Sequence, residues 1–195
     1  SARRLGMVAE CSALLRQRVD ARRPSPLSPF ESLALFDLYA GDGHYLEHAT
    51  QDPMQEETHW PTGHFFALNL KSQSLLPLTL ADLAGRQKEP AVRALKRQSV
   101  AQLRQGAGQG RKVLWVWDKA GVDWPFWQER KASGIYFLSL RKEGLCLEGE
   151  QARVIECSQA INQGVTADRV VTERRGRRVR EITFWDFSKL NCHGG

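Results

Sequence analysis

The apolar positions of this chain fall into short runs separated by charged or glycine-rich stretches. One run sets the frame for the rest. Residues 113–117 (Val-Leu-Trp-Val-Trp) are apolar without a break, which reads as a strand buried on both faces. The run stops on a carboxylate, Asp118, followed by Lys119, Ala120 and Gly121. Asp123 then reads as a helix N-cap ahead of Trp124, Pro125, Phe126 and Trp127. The pattern predicts a strand, a charged tip, a tight turn and a helix. In open α/β sheets chemistry collects at such strand ends, and a carboxylate there needs a cation or hydrogen bonds to offset lost hydration.

The other runs supply the remaining elements. Leu5, Val8, Leu14, Leu15 and Val19 recur at loosely helical spacing, and Pro24, Pro26 and Pro29 end that helix in a stiff connector, so residues 1–30 form an appendage. Residues 33–48 begin apolar and turn polar, and their centre reads as a first core strand with Asp42 on it or just past it. Residues 51–61 form a polar loop. Residues 63–71 and 75–80 read as a hairpin, whose second strand Pro77 places at a sheet edge. Residues 88–104 predict one helix, built on Val92, Leu95 and Leu103 and stopped by the glycines of 106–110. Residues 135–140 give another strand. Strand, hairpin, helix, strand, helix, strand is the order of a mixed α/β sheet over residues 31–144. Composition shifts from Glu143 onward, and residues 170–185 read as two strands around Gly176. Residues 145–195 are therefore expected to be β-rich.

Charge and cysteine usage narrow the partners. Lys and Arg outnumber Asp and Glu by 28 to 22, a net charge of +6, which points to an acidic partner, nucleic acid first. Cys11, Cys146, Cys157 and Cys192 form no C-x-x-C pair, as expected of reduced thiols in a cytoplasmic protein. No apolar run approaches the roughly 18 residues of a membrane span.

Asp42 and Asp118 lie on the first strand and at the end of a later one, with a hairpin and a helix between them. This arrangement resembles the ribonuclease H-like nucleotidyl-transfer fold, in which the first and fourth strands are neighbours. Two carboxylates about 4 Å apart repel by about 4 kcal/mol at an effective dielectric near 20. A divalent cation relieves that repulsion, and hard oxygen ligands favour Mg2+ or Mn2+. Such metals activate a water or hydroxyl and stabilise the leaving oxygen of an in-line phosphoryl displacement.

The resemblance sharpens in four stretches: residues 41–48 (Gly-Asp-Gly-His-Tyr-Leu-Glu-His), 63–70, 78–82 and 113–124. Across residues 31–142 the chain resembles a DDE-class transposase of bacterial insertion sequences, and the Asp-Lys-Ala-Gly of 118–121 is the most specific part. The resemblance implies that Asp42 and Asp118 are the first two catalytic, metal-holding acids. It also implies DNA strand cleavage and strand transfer on double-stranded DNA, both transposon ends and target, by a possible homodimer. In the family a β-rich insertion precedes a helix bearing a third acid, a Glu. Residues 145–185 match that insertion, but no such helix follows, and Glu143, Glu150, Glu156 and Glu173 lie in the wrong context. The chain therefore reads as truncated before the third acid. A catalytically dead DNA-binding remnant is the rival reading.

Three further groups stand out. His44, Glu47 and His48 fit H-x-x-E-H, a zinc-hydrolase pattern that requires a helix. Arg93, Lys96, Arg97 and Arg104 fall on one side of the helix expected over 88–104, as either a solvated face or a DNA-binding stripe. Arg174, Arg175, Arg177, Arg178 and Arg180 crowd the expected hairpin tip, where an anionic partner relieves their repulsion. Trp115, Trp117, Trp124 and Trp127 read as core. Asp37 is the alternative first acid if the strand register differs.

Overall fold

Strand alternation decides which side chains of the first sheet face its helices and which face away. The computed structural model describes residues 10, 11, 14, 25, 27, 29–46, 62–81, 89–142 and 144–185. Most of the helix expected over residues 5–19, together with the loop at 51–61, Glu47 and His48, lies outside them. The chain divides into two units, Ser1–Lys142 and Glu143–Gly195.

In the first unit, β1 (Phe36–Leu46), β2 (Thr62–Asn69), β3 (Leu75–Leu80), β4 (Lys112–Trp117) and β5 (Ile135–Ser139) form a mixed sheet in the order β3-β2-β1-β4-β5. β1–β2 and β2–β3 are antiparallel, while β1–β4 and β4–β5 are parallel. The antiparallel hairpin closes on Asn69, whose side chain accepts the backbone N–H groups of Lys71 at 2.9 Å and Ser72 at 3.0 Å. Parallel neighbours need longer crossovers. Helices α1 (Ala91–Lys96) and α2 (Val100–Leu103) lie between β3 and β4, and α3 (Trp124–Lys131) lies between β4 and β5. Pro77 falls on the edge strand β3, where its missing N–H costs the ladder least.

One face of the sheet carries the core. Tyr39, Phe65, Ala67, Val113, Trp115, Trp117 and Ile135 pack with Ala94 and Leu95 of α1, Leu103 of α2 and Phe126 of α3. Tyr39 stacks on Trp115 at 5.1 Å, and the Trp115 indole N–H donates to the Leu103 carbonyl at 3.1 Å. β4 departs from the expected strand buried on both faces. Val113, Trp115 and Trp117 are buried, but Leu114 and Val116 between them are half-buried. An unbroken apolar run conceals which side the helices take, and here they take one.

The single helix expected over residues 88–104 is broken in two. Ser99 caps α2, accepting from Gln102 N–H while the Gln102 side chain accepts from Ser99 N–H. That reciprocal pair satisfies two end donors at once and starts a new helix where helical periodicity alone predicts continuation. Gln98, 2% exposed, donates its amide to the Ala94 carbonyl.

Trp117 ties the end of the sheet together. A methyl group on Gly41 would overlap its six-membered ring, and one on Gly121 would overlap its pyrrole ring. The indole therefore spans from β1 to the 3-10 turn Lys119–Gly121 that follows β4.

In the second unit, β6 (Leu147–Ala152), β7 (Val165–Glu173) and β8 (Arg178–Phe184) form an antiparallel sheet in the order β6-β7-β8. Its buried apolar residue among those described is Val171. Ion pairs cross the strands instead. Arg169 binds Glu181 at 2.6 Å and Glu150 at 3.1 Å, and Asp168 binds Arg180 at 2.7 Å and Arg153 at 3.3 Å.

Overpacking a tight core contact costs about 1–3 kcal/mol. Gly121→Ala is expected to destabilise the chain by about that amount in urea unfolding, and Trp117→Leu is expected to remove most of that penalty in the double mutant. An equal cost in both backgrounds would mean that the indole is not the obstacle.

Candidate metal and nucleic-acid site

The register of two parallel strands bears on where the candidate acids lie. β1 and β4 pair from Phe36↔Lys112 to Ala40↔Val116. The pairing ends there, and continuing its register by two residues past the last pair would set Asp42 opposite Asp118. Neighbouring strands lie roughly 4.8 Å apart. Gly41 and Gly43 face the core, where added Cβ atoms would meet Trp117 and Phe65. Alternation then turns Asp42 to the opposite face.

Each carboxylate is held by its own backbone. Asp42 Oδ1 accepts the Gly43 N–H at 2.7 Å. Asp118 caps the turn that follows it, its Oδ1 accepting the Ala120 N–H at 3.0 Å. The Ser139 hydroxyl donates to the Asp118 backbone carbonyl at 3.0 Å, tying this tip to β5. Both acids are exposed. Turn capping thus occupies one oxygen of each acid, and among the described residues the second oxygen of each has no partner. Two exposed carboxylates with unused oxygens are the donor chemistry a hard divalent cation takes. Among the described residues, no group of three or more His, Cys, Asp or Glu side chains is placed to hold a metal.

Asp37 lies at the other end of β1. Its Oδ2 accepts both the Gly108 N–H and the Arg111 Nε–H at 2.9 Å. That anchoring gives Asp37 a structural task and separates it from Asp118. Burial first, and the Asp37 carboxylate second, push the neighbouring Tyr39 phenol up to about 12.

The H-x-x-E-H pattern starts on a strand, because His44 lies within β1 rather than on a helix. Glu47 and His48 lie outside the described residues. The geometry that a zinc reading needs is therefore not met at its first ligand.

The basic groups divide by partner. Arg93, Lys96, Arg97 and Arg104 do not share one helix. Arg97 grips Glu89, with Nε–Oε1 at 2.8 Å and a second bond to Oε2 at 2.7 Å, and it also donates to the Leu80 carbonyl. Glu89 is 3% exposed, so Arg97 neutralises a buried carboxylate, and Arg93 approaches the same group at 4.0 Å. Lys96 pairs with Asp123 at 3.0 Å, tying α1 to the N-cap of α3. Arg104 donates to the carbonyls of Ser133 and Arg111.

On the second unit's hairpin, Arg177 pairs with Glu173 and Arg178 bonds Gln151. Arg180 makes two bonds to Asp168, which hold that carboxyl below its ordinary range. Arg174 and Arg175 differ. They occupy the turn before Gly176 (φ 82°), are exposed, and have no partner among the described residues.

Two features here were not anticipated from the sequence. Glu89 as the partner of Arg97 becomes visible only when the chain returns from β3 to α1. His64, outward between the inward Gly63 and Phe65, was legible from strand alternation. No protein-family model matches the sequence, and no curated protein matches it.

Charge reversal of Arg174 and Arg175 is expected to weaken duplex DNA binding with little change in folding, since the tip buries little. The slope of log affinity against log salt should become shallower by about 0.9 for each phosphate that is no longer neutralised. An unchanged slope would make the tip a solvated turn.

Proposed function

We propose that this chain is the ribonuclease H-like part of a DDE-class transposase, acting on double-stranded DNA in the cytoplasm. One observation carries the reading: β1 and β4 run parallel as neighbours from Phe36↔Lys112 to Ala40↔Val116, and that register continued by two residues would bring Asp42 beside Asp118. The strand order β3-β2-β1-β4-β5, with two antiparallel and two parallel pairings, supports it further. So do the exposed Arg174 and Arg175 and the net charge of +6. Among the described residues, no helix is long and apolar enough to cross a membrane.

In this reading Asp42 and Asp118 hold Mg2+ or Mn2+ through the oxygens their turns leave unused. The bound metal would activate the attacking water or hydroxyl and stabilise the leaving oxygen. The chain's own contribution is positional. Ser139 and the Asp118 cap fix one acid, the Gly41–Trp117 contact fixes the other, and neither must rearrange to meet a phosphate.

Duplex affinity of the 195-residue chain is expected to rise when Mn2+ replaces EDTA, because a shared cation bridges carboxylate and phosphate. Asp42→Asn and Asp118→Asn should each remove that increment. Strand transfer is not expected, because two acids leave a second metal short of protein ligands. Duplex affinity indifferent to Mn2+ would instead describe a DNA-binding protein without this chemistry, and robust strand transfer would mean that another of its acids completes the site.

A further inference from the structure

The face of the sheet that carries Asp42 also brings two histidines together. His44 lies two residues past Asp42 on β1, and its partner across the β1–β2 ladder is His64. The residues flanking them turn the other way. An added Cβ on Gly43 would meet Phe65, one on Gly63 would meet Tyr45, and Phe65 itself is 2% exposed in the core. Alternation therefore sets His44 and His64 on the outer face with Asp42. Directly opposed side chains on antiparallel strands have Cβ atoms about 4.5–5.5 Å apart.

Buried polar groups are normally hydrogen-bonded, and neither imidazole is committed in that way. His44 is exposed and His64 half-buried, and among the described residues neither imidazole has a hydrogen-bond partner. The His64 ring stacks on Phe66 at 5.7 Å with the planes 16° apart, which sets its orientation without using its nitrogens.

Among the described residues no group of three or more His, Cys, Asp or Glu side chains is placed to hold a metal, so the imidazoles are not arranged to complete the coordination of a cation shared by Asp42 and Asp118. They are near enough to meet whatever adjoins a phosphate held there. We propose that His44 and His64 form a phosphate-contact pair, donating imidazole N–H groups to the nucleic-acid strand beside the phosphate at the carboxylates. The inference rests on the function proposed above and extends it: the strand crosses the sheet end from β4 over β1 to β2.

The test is a footprint on the full chain with Mn2+ present, with diethyl pyrocarbonate as probe and a short DNA duplex as ligand. Carbethoxylation of His44 and His64, read by mass spectrometry, should slow severalfold when duplex is bound. His44→Leu and His64→Leu should each lower duplex affinity about tenfold, the size of one missing hydrogen bond to a charged group, and His44→Gln should recover part of it. Unchanged reactivity of both histidines with duplex bound would overturn the proposal, as would native affinity in both Leu variants. A chain that binds no duplex removes the contact pair and the proposed function together. Binding that depends on Asp42 and Asp118 but leaves both histidines reactive removes the contact pair alone.

Discussion

The contact of the Trp117 indole with two glycines is the constraint on which the candidate site depends. Gly41 leads into Asp42, and Gly121 ends the turn that Asp118 begins. A side chain at either position would push the ring away and shift one acid relative to the other. Burying a tryptophan removes roughly 150–250 Å² from water, worth on the order of 4–6 kcal/mol as an upper bound. Two carboxylates about 5 Å apart repel by about 1 kcal/mol in bulk water and about 3 kcal/mol at an effective dielectric of 20. The clamp outweighs the repulsion. Under the proposed function, a cation would meet two acids whose backbone segments the indole already holds.

The two units are held by different physics. The first rests on an aromatic core, in which Trp115 stacks on Tyr39 and Trp127 stacks on Phe137 at 5.2 Å. The second has Val171 as its buried apolar residue among those described, and carboxylate–guanidinium pairs cross its strands. The five arginines at one hairpin are therefore not equivalent. Three of them answer to Glu173, Gln151 and Asp168 within their own sheet. Arg174 and Arg175 in the turn itself are exposed and have no partner among the described residues.

Much of the fold was legible because its signals are local. Alternation in 62–69, Pro77 on an edge strand, Asp123 as an N-cap and the Gly176 turn each follow from neighbouring residues. The break at Ser99 was legible too, since Ser99-x-x-Gln102 is a capping-box pattern, but the helical spacing on either side masked it. Other features were not legible because they are tertiary. The apolar run of β4 says nothing about which face the helices cover. The arginine stripe of 93–104 dissolves once Arg97 is seen to neutralise the buried Glu89. The parallel pairing of β1 with β4, on which any alignment of Asp42 with Asp118 depends, is likewise tertiary.

That alignment is the central claim, and the position of a bound cation tests it most directly. Crystals of the chain grown with Mn2+ should show one anomalous-scattering peak, held by a carboxylate oxygen of Asp42 and one of Asp118. A peak bound elsewhere would contradict the account. So would carboxylates more than about 10 Å apart, beyond the reach of a shared metal.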